Sequence, residues 1–476
     1  MCILRLKTAA ACLAVFLIAE AVFAPGAAGI TIGEEEALSR EFLKVVGRRF
    51  TFIRDPLINA YVEKVGKRLL DVMPPQPFEY HFYVIKEPIY NAFATPAGHI
   101  FINSGLLAAM DRETELAGIL AHEIAHVVCR HISQNIDRAP KIGLATLAGI
   151  AAGVFLGIGG SAAVGNAVAI GSMAAGQSAA LAFSREDEMQ ADQLALRYLE
   201  DAGYSAEGLL SILKKIRGKQ WFGSEQVPHY LMTHPASEDR MALIDSWLER
   251  HPEEDAENAS QTADAFALMQ TTLVGKHGDV DQAREYFNSR LAQRPADALA
   301  HYGYALALAR AGSREKALAH MRAALEKEAL NPYILKELGR IYFLDGQYQK
   351  AVNALEASIA MSPTDDEGLR FLGQTLLELG QLDKAGNALL SAVEKNPQND
   401  QAYFFLGKVY GKQGRMTEAH YYLGVYYQEK GELQNALFHL SRAAEGSHDA
   451  LRSEAIDRRL TALKAELERR RKAARP

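Results

Sequence analysis

The chain has 476 residues, of which 49% are hydrophobic and 23% are charged. This is an ordinary globular composition, and the length is sufficient for two or three domains. The formal net charge of -6 gives no support for nucleic-acid binding, so we expect no nucleic-acid partner.

The N-terminus is predicted to be a secretory signal peptide covering residues 1–28. A short basic segment, Met1 to Lys7, precedes an apolar run to Phe23, and small residues follow. We expect cleavage after Ala28, and a retained membrane anchor is the alternative. Once residues 1–28 are removed, Cys129 is the one remaining cysteine, so no intramolecular disulfide is expected.

The next part of the chain mixes helical and strand patterns. Ile30 to Val72 has the periodicity of a helix, whereas Glu79 to Ile85 alternates like a strand. Asn91 to Gly98 is predicted to be a turn that leads into a second strand, His99 to Ile102. These patterns predict a domain of helices with a small sheet.

The most informative motif is His122-Glu123-Ile124-Ala125-His126, which lies in an apolar helical stretch. Residues i and i+4 share one face of a helix, so His122 and His126 can bind one metal ion. Glu123 then lies beside the metal, where a carboxylate can accept a proton from the attacking water. The alternative is an ordinary helix with two unrelated histidines.

Residues 142–184 contain no charged residue and are rich in glycine and alanine. One interpretation is a transmembrane hairpin, although glycines such as Gly157 interrupt each apolar half. The other is a pair of helices that cover the active site or lie on a membrane surface. In either case this hydrophobic insertion should emerge near the metal site, because it connects the His122–His126 helix to the second metal-binding helix described next.

That second motif is Ser184 to Asp192, in which Glu188 and Asp192 share a helical face. Hydrolytic zinc sites typically have three protein ligands and a water molecule, so Glu188 would complete the set begun by the two histidines. Asp192 would then hydrogen-bond a ligand imidazole. A solvated acidic face is the alternative, but leucines follow at once, and a buried carboxylate without a cation is costly. We therefore expect one zinc ion per chain.

The remainder of the chain repeats every 34 residues from residue 263 to 447. Glycines recur at this spacing at Gly278, Gly312, Gly346, Gly380 and Gly414. This is the period of tetratricopeptide repeats, which form an all-α solenoid with a groove that binds segments of other proteins. Residues 450–472 form an amphipathic, arginine-rich helix that we expect to cap the solenoid. A basic membrane-binding helix is the alternative.

Taken together, the motifs resemble the M48 family of zinc metalloproteases, in particular periplasmic members with tetratricopeptide repeats. The resemblance rests on His122–His126, on Ser184–Asp192 and on Thr233–Arg240. Two further stretches, Gly33–Phe42 and Asn91–Leu107, are also similar to that family. It implies a mainly α protein, with a zincin-like α+β metalloprotease domain over residues 30–255 followed by the repeats.

The resemblance also assigns site residues. It makes His122, His126 and Glu188 the zinc ligands, and Glu123 the general base. It places His234 at the active site, either as a hydrogen-bond donor to the oxyanion or as a fourth zinc ligand that holds the enzyme inactive. A helix-capping or surface histidine is the alternative. An edge strand of the cleft would bind extended substrate, with Asn91 as a hydrogen-bonding partner of the substrate backbone.

The function implied is a secreted, periplasmic zinc endopeptidase that degrades misfolded or stalled outer-membrane proteins. The repeats would recruit a substrate or the outer-membrane assembly machinery, and peripheral membrane contact is a further expectation. Two alternatives from other classes remain. One is a chaperone or scaffold with secondary protease activity, and the other is an integral membrane protease.

Overall fold

The structure is a computed structural model. It describes residues 30–137, 183–221, 229–235, 237–251, 259–446 and 450–473. The predicted signal peptide and residues 142–182 of the predicted insertion lie outside the described residues. The chain divides into two compact units, one ending at Gln270 and one starting at Thr271.

The first unit is built mainly of helices around a small sheet. Its helices are α1 (Ile32–Arg49), α2 (Pro56–Leu70), α3 (Ser104–Ala109), α4 (Glu113–Val128), α5 (His131–Asp137), α6 (Arg185–Asp201), α7 (Glu207–Trp221), α8 (His229–Thr233) and α9 (Glu238–Arg250). Its strands are β1 (His81–Ile85), β2 (Ala92–Thr95) and β3 (His99–Asn103). A further helix, α10 (Ala259–His277), spans the boundary between the two units.

The sheet has the order β1-β3-β2. β1 runs parallel to β3 and β2 antiparallel to it, with Thr95 opposite His99. The prediction that Asn91 to Gly98 is entirely a turn was wrong, because Ala92–Thr95 forms strand β2. Only Pro96–Gly98 turns, with Ala97 and Gly98 at φ of 63° and 81°. Ala92 and Ala94 carry little strand signal, and pairing with β3 determines the conformation of this segment.

The predicted helix from Ile30 to Val72 is two helices in the structure. The break lies between α1 and α2, where Phe52 forms a β-bridge to Ile85. Asp55 then caps α2, since its side chain accepts a hydrogen bond from the Leu57 amide at 3.1 Å. Because Pro56 disfavours helical geometry at Asp55, one continuous helix cannot pass through this position, and α2 starts at Pro56. The sequence pattern did not reveal this break, because apolar residues have helical spacing on both sides of it.

Helix α4, which carries the first predicted metal motif, lies in the middle of this unit. It packs against α2, α6, α7 and the sheet, and its residues from Glu115 to Val127 are buried. Two glycines permit the close crossing with α7. A Cβ on Gly118 would lie 2.8 Å from Leu209 Cα, and one on Gly208 would lie 2.1 Å from the Thr114 oxygen. The metal motif is therefore held rigidly inside the core.

Among the described residues, no helix is both long and apolar enough to cross a membrane.

The second unit is all-helical and follows the predicted repeat. After α10, its helices are α11 (Val280–Gln293), α12 (Ala298–Arg310), α13 (Arg314–Lys327), α14 (Pro332–Leu344), α15 (Tyr348–Met361), α16 (Asp366–Glu378), α17 (Leu382–Lys395), α18 (Asp400–Lys412), α19 (Met416–Glu429), α20 (Leu433–Gly446) and α21 (Ala450–Ala473). The chain is therefore mainly α, with an α+β domain followed by an all-α repeat array, which confirms the predicted fold class.

Glycines at the repeat spacing turn one helix into the next. Gly312, Gly346, Gly380 and Gly414 have φ between 73° and 79°, a conformation that side chains with a Cβ rarely adopt. Helix α19 packs against both α18 and α20, so it belongs to two repeats at once. The final helix, α21, buries leucines and Ile456 against α20 and covers the end of the array.

Candidate metal centre

Four side chains form a buried cluster that can hold a metal ion. They are His122 and His126 on α4, Glu188 on α6, and His234 just after α8. One ligand atom from each lies within 4.8 Å of the others. His126 Nε2 lies 3.1 Å from His122 Nε2 and 3.3 Å from Glu188 Oε1. Imidazole nitrogens with a carboxylate oxygen are a donor set that suits a divalent ion such as zinc.

A buried, unsatisfied carboxylate also indicates that the site is built for a cation and water. Both carboxylate oxygens of Glu123 are buried and lack a well-formed hydrogen bond among the described residues, since the Ala94 backbone offers only a weak polar contact. Burial raises the pKa of Glu123 above its ordinary value, against the opposing effect of His234 and His122. A carboxylate with a raised pKa is a better proton acceptor near neutral pH.

Local sequence places the ligands on their elements. The spacing in α4 puts His122 and His126 one turn apart on one face. A capping box starts α6, in which Ser184 Oγ accepts from the Asp187 amide and Asp187 Oδ2 accepts from the Ser184 amide. Glu188 follows directly, and therefore projects from the first turn of α6 into the cluster.

His234 is held in the cluster by the short helix α8. Its amide donates to the Tyr230 oxygen at 2.7 Å, and its ring stacks on the Tyr230 ring with centroids 4.7 Å apart. His234 Nδ1 lies 2.9 Å from Glu188 Oε1, and Nε2 lies 3.7 Å from Glu123 Oε1. The imidazole thus lies between the ligand carboxylate and the predicted base, as either of its two predicted roles requires.

Asp192 contacts His122, one of the two candidate metal-binding histidines. Its Oδ1 lies 2.9 Å from His122 Nδ1, and both side chains are buried. A carboxylate at this distance accepts the Nδ1–H of the imidazole, which leaves the Nε2 lone pair of His122 directed at the other ligands. Asp192 therefore fixes both the tautomer and the orientation of His122.

Arg240 is a central part of the site that the sequence reasoning missed. It is fully buried, and its guanidinium makes a bidentate pair with Asp192 at 2.6 and 2.8 Å. Its Nη1 also lies 2.5 Å from Glu188 Oε2. Burial alone would raise the pKa of Glu188, but Arg240, His234 and His122 hold that pKa well below its usual range. The arginine therefore keeps the buried Glu188 carboxylate ionised.

A second missed residue, His131, orients His126. Its Nε2 lies 2.9 Å from Gln190 Oε1, and its Nδ1 lies 2.9 Å from His126 Nδ1. An amide oxygen only accepts, so His131 Nε2 carries a hydrogen and Nδ1 is the acceptor. His131 Nδ1 then accepts from His126 Nδ1–H, which leaves the Nε2 lone pair of His126 facing the cluster.

Replacing His131 by phenylalanine should weaken metal binding by about 10–100-fold, because His126 would lose the acceptor that fixes its tautomer. Metal affinity can be measured by competition with a chelator of known affinity. Gln134→Ala, in the same helix but exposed, is the matched control and should leave the affinity unchanged. Equal affinities for the His131 variant and the unchanged protein would show that His131 does not orient His126.

The structure places Asn91 directly before strand β2, an outer strand of the sheet that also contacts α4. Its side chain is 2% exposed, and its backbone oxygen accepts from the Asn103 amide at 2.9 Å. The substrate-binding role of Asn91 stays a prediction.

Phe183 is a third residue near the cluster that the sequence did not indicate. Its ring lies 3.9 Å, centroid to centroid, from the His126 ring.

The missed residues left weak signals in the sequence. His131 follows His126 by five residues, beyond the helical spacing that links the two ligands. Arg240 ends the Thr233–Arg240 motif, but a lone arginine at the start of a helix usually faces solvent. The acidic pair at Glu188 and Asp192 should have raised the question of a buried cationic partner.

Comparison with known proteins agrees with this architecture. Residues 56–248 match the model of peptidase family M48. Residues 254–434 match the model of the middle TPR-like domain of cilia and flagella-associated protein 70. The chain is 25% identical over 324 residues to the beta-barrel assembly-enhancing protease of Yersinia pestis, covering 67% of this chain and 63% of that protein. It is 28% identical over 206 residues to the mitochondrial metalloendopeptidase OMA1 of Schizosaccharomyces pombe, covering 43% of this chain and 56% of that protein.

Among solved structures, the TPR protein YrrB, described as having an unusual peptide-binding site, is 19% identical. The match covers 41% of this chain and 95% of the YrrB chain, with a TM-score of 0.31. The match to the Yersinia pestis protein spans less than two thirds of that relative. From the two domain matches and the relatives, we conclude that the chain carries a peptidase M48 domain followed by a TPR-like domain.

Proposed function

We propose that this protein is a zinc-dependent metalloendopeptidase of the bacterial periplasm that degrades misfolded or stalled outer-membrane proteins. The observation that carries the catalytic part is the buried cluster of His122, His126, Glu188 and His234, with the Glu123 carboxylate beside it. The match of residues 56–248 to a peptidase family supports the reaction class. The names of the relatives, a beta-barrel assembly-enhancing protease and a metalloendopeptidase, support the substrate class and the reaction.

In this proposal, His122, His126 and Glu188 hold the zinc ion. When bound, zinc polarises the scissile carbonyl and lowers the pKa of a coordinated water toward ~7. Glu123 takes the proton from the attacking water and later passes it to the leaving amine. The Glu123 carboxylate is buried beside the proposed ligands, which positions it for both transfers.

The ligand assignment can be tested through metal content. Glu188→Gln should retain less zinc than the unchanged protein, because an amide is a weaker ligand than a carboxylate. Elemental analysis of the purified proteins after dialysis measures the loss. Glu186→Gln, an exposed position on the same helix turn, is the control and should keep full occupancy. Unchanged zinc in Glu188→Gln would show that the third ligand is misassigned.

His234 has two proposed roles, and the geometry is compatible with each. As a donor it would stabilise the oxyanion, an interaction worth about 3–4 kcal/mol in other hydrolases. As a fourth ligand it would replace the catalytic water and keep the enzyme inactive until substrate arrives. Its Nδ1, 3.4 Å from His122 Nε2 and close to Glu188, supports the ligand role.

A His234→Ala variant separates these roles. Faster self-cleavage and broader proteolysis are expected if His234 blocks the site, whereas slower turnover with full zinc is expected if it stabilises the oxyanion. Both are read from the same preparation by a peptide-cleavage assay and elemental analysis. Wild-type turnover and wild-type self-cleavage together would exclude both roles.

We further propose that the TPR-like domain recruits substrate or a component of the outer-membrane assembly machinery, since such repeats commonly bind protein segments. Secretion to the periplasm rests on the signal-peptide pattern of residues 1–28.

A further inference from the structure

Tyr230 is a buried tyrosine whose hydroxyl finds no hydrogen-bond partner among the described residues. It lies on α8, four residues before His234, and its side chain is 0% exposed. A buried hydroxyl without a partner costs stability, so native proteins rarely keep one without a reason. The metal chemistry described above does not use this hydroxyl.

The backbone and the ring of Tyr230 are both held in place. Its amide donates to the Tyr90 oxygen at 3.2 Å, and its own oxygen accepts from the His234 amide at 2.7 Å. Its ring lies nearly parallel to the His234 ring, with an interplanar angle of 18° and centroids 4.7 Å apart. The ring therefore lies against the metal-binding cluster, and the hydroxyl cannot turn out to solvent without breaking this packing.

Two polar groups near Tyr230 also lack partners. His234 Nε2 is buried with no hydrogen-bond partner among the described residues, and both Glu123 carboxylate oxygens lack a well-formed one. His234 Nε2 and Glu123 Oε1 are 3.7 Å apart. Burial raises the pKa of Tyr230 well above its ordinary value, and of the neighbouring charges Glu123 acts on it most strongly. The hydroxyl is therefore a protonated donor in a small buried region, where an attacking water and a substrate carbonyl would satisfy all three groups.

The proposed reaction places a growing negative charge on one oxygen atom. When water adds to the scissile carbonyl carbon, the electron pair of the C=O π bond moves to the oxygen and the water proton moves to Glu123. The proton then passes to the amine as the C–N bond breaks and the carbonyl re-forms. A phenol O–H donates more strongly to the oxyanion than to the neutral carbonyl, so it lowers the barrier rather than improving substrate binding.

We propose that the Tyr230 hydroxyl is a catalytic hydrogen-bond donor to the oxyanion formed during peptide hydrolysis. This role rests on the proposed endopeptidase function, because that reaction forms the oxyanion. The hydroxyl keeps its proton throughout the reaction, and it supplies an oxyanion donor even if His234 binds the zinc ion.

The test is Tyr230→Phe in the full-length, zinc-loaded protein, with an unstructured fluorogenic peptide as substrate. The value of kcat should fall by about 10²–10³-fold, whereas KM should change little because phenylalanine keeps the ring that stacks on His234. A phosphinic peptide, whose tetrahedral phosphorus copies the geometry of the reacting carbon, should bind about 10²–10³-fold more weakly by calorimetry. Zinc content should be unchanged.

Stability separates a catalytic role from a structural one. Removing the unpartnered hydroxyl should leave the urea midpoint of the metal-free protein unchanged or higher. Tyr204→Phe is the matched control, since the buried Tyr204 hydroxyl donates to Glu113 Oε1 at 3.1 Å. It should lower the midpoint but leave kcat and the binding of the phosphinic peptide unchanged.

Three results would contradict this role. Wild-type kcat and wild-type affinity for the phosphinic peptide in Tyr230→Phe would overturn it, while the endopeptidase function would stand. Lower activity accompanied by a lower urea midpoint and lost zinc would also overturn it, because the hydroxyl would then be structural. A wild-type protein that cleaves no peptide would overturn the endopeptidase function, and the role of Tyr230 with it.

Discussion

Replacing Glu123 by glutamine is expected to lower the rate of peptide hydrolysis by about 10²–10⁴-fold, because an amide cannot accept the proton of the attacking water. Zinc content should be unchanged, since Glu123 is a base and not a ligand. The buried side chain lies on the same helix as His122 and His126, and glutamine has nearly the same size, so the helix should pack as before. Turnover of an unstructured peptide and elemental analysis measure the two quantities.

Glu123→Asp is the informative companion variant. It keeps a carboxylate but withdraws it by one methylene, so its activity should be intermediate because a misplaced base transfers protons less efficiently.

In cells, a strain carrying Glu123→Gln can be compared with a deletion strain. Equal phenotypes indicate that proteolysis is the function, whereas a normal Glu123→Gln strain would indicate a scaffold. Full peptidase activity in Glu123→Gln would exclude Glu123 as the base.

The parts of the site that depend on local spacing were predictable from the sequence. Residues four apart share a helical face, so the spacing alone pairs His122 with His126, and Glu188 with Asp192. The structure brings these pairs together with His234, which was linked to them only by family resemblance. Most of the repeat helices were equally predictable, because one 34-residue period relates the glycine turns from Gly278 to Gly414.

Contacts between distant segments were not predictable in the same way. The partners of Arg240, which are Glu188 and Asp192, lie about 50 residues away, and no periodicity relates them. The sheet order was equally hidden, because the short strand Ala92–Thr95 is stabilised by pairing with β3 rather than by its own residues. His131 accepts from His126 only because the chain turns at Arg130, whose φ is 55°.

Replacing Arg240 by methionine should destabilise the first unit by about 3–5 kcal/mol in its free energy of unfolding when metal is absent. The reason is that Glu188 and Asp192, both buried, would lose the cation that compensates their charges. Added zinc should recover part of the loss, since the ion supplies positive charge at Glu188. The free energy of unfolding of Arg240→Lys should lie between those of the unchanged protein and Arg240→Met, because a lysine keeps the charge but cannot pair in bidentate fashion with Asp192.

Unfolding of this unit can be followed separately, since both tryptophans, Trp221 and Trp247, precede Gln270. Urea titration of the metal-free proteins by tryptophan fluorescence therefore reports the first unit alone. Arg217→Met is the matched control, because Arg217 pairs with Glu238 at the surface, where Glu238 is 76% exposed. An exposed ion pair contributes little to stability, because solvent screens it. If Arg240→Met were no more destabilising than Arg217→Met, the buried arginine would not be the counter-ion that keeps the ligand carboxylate ionised, and the zinc site would have to form without its help.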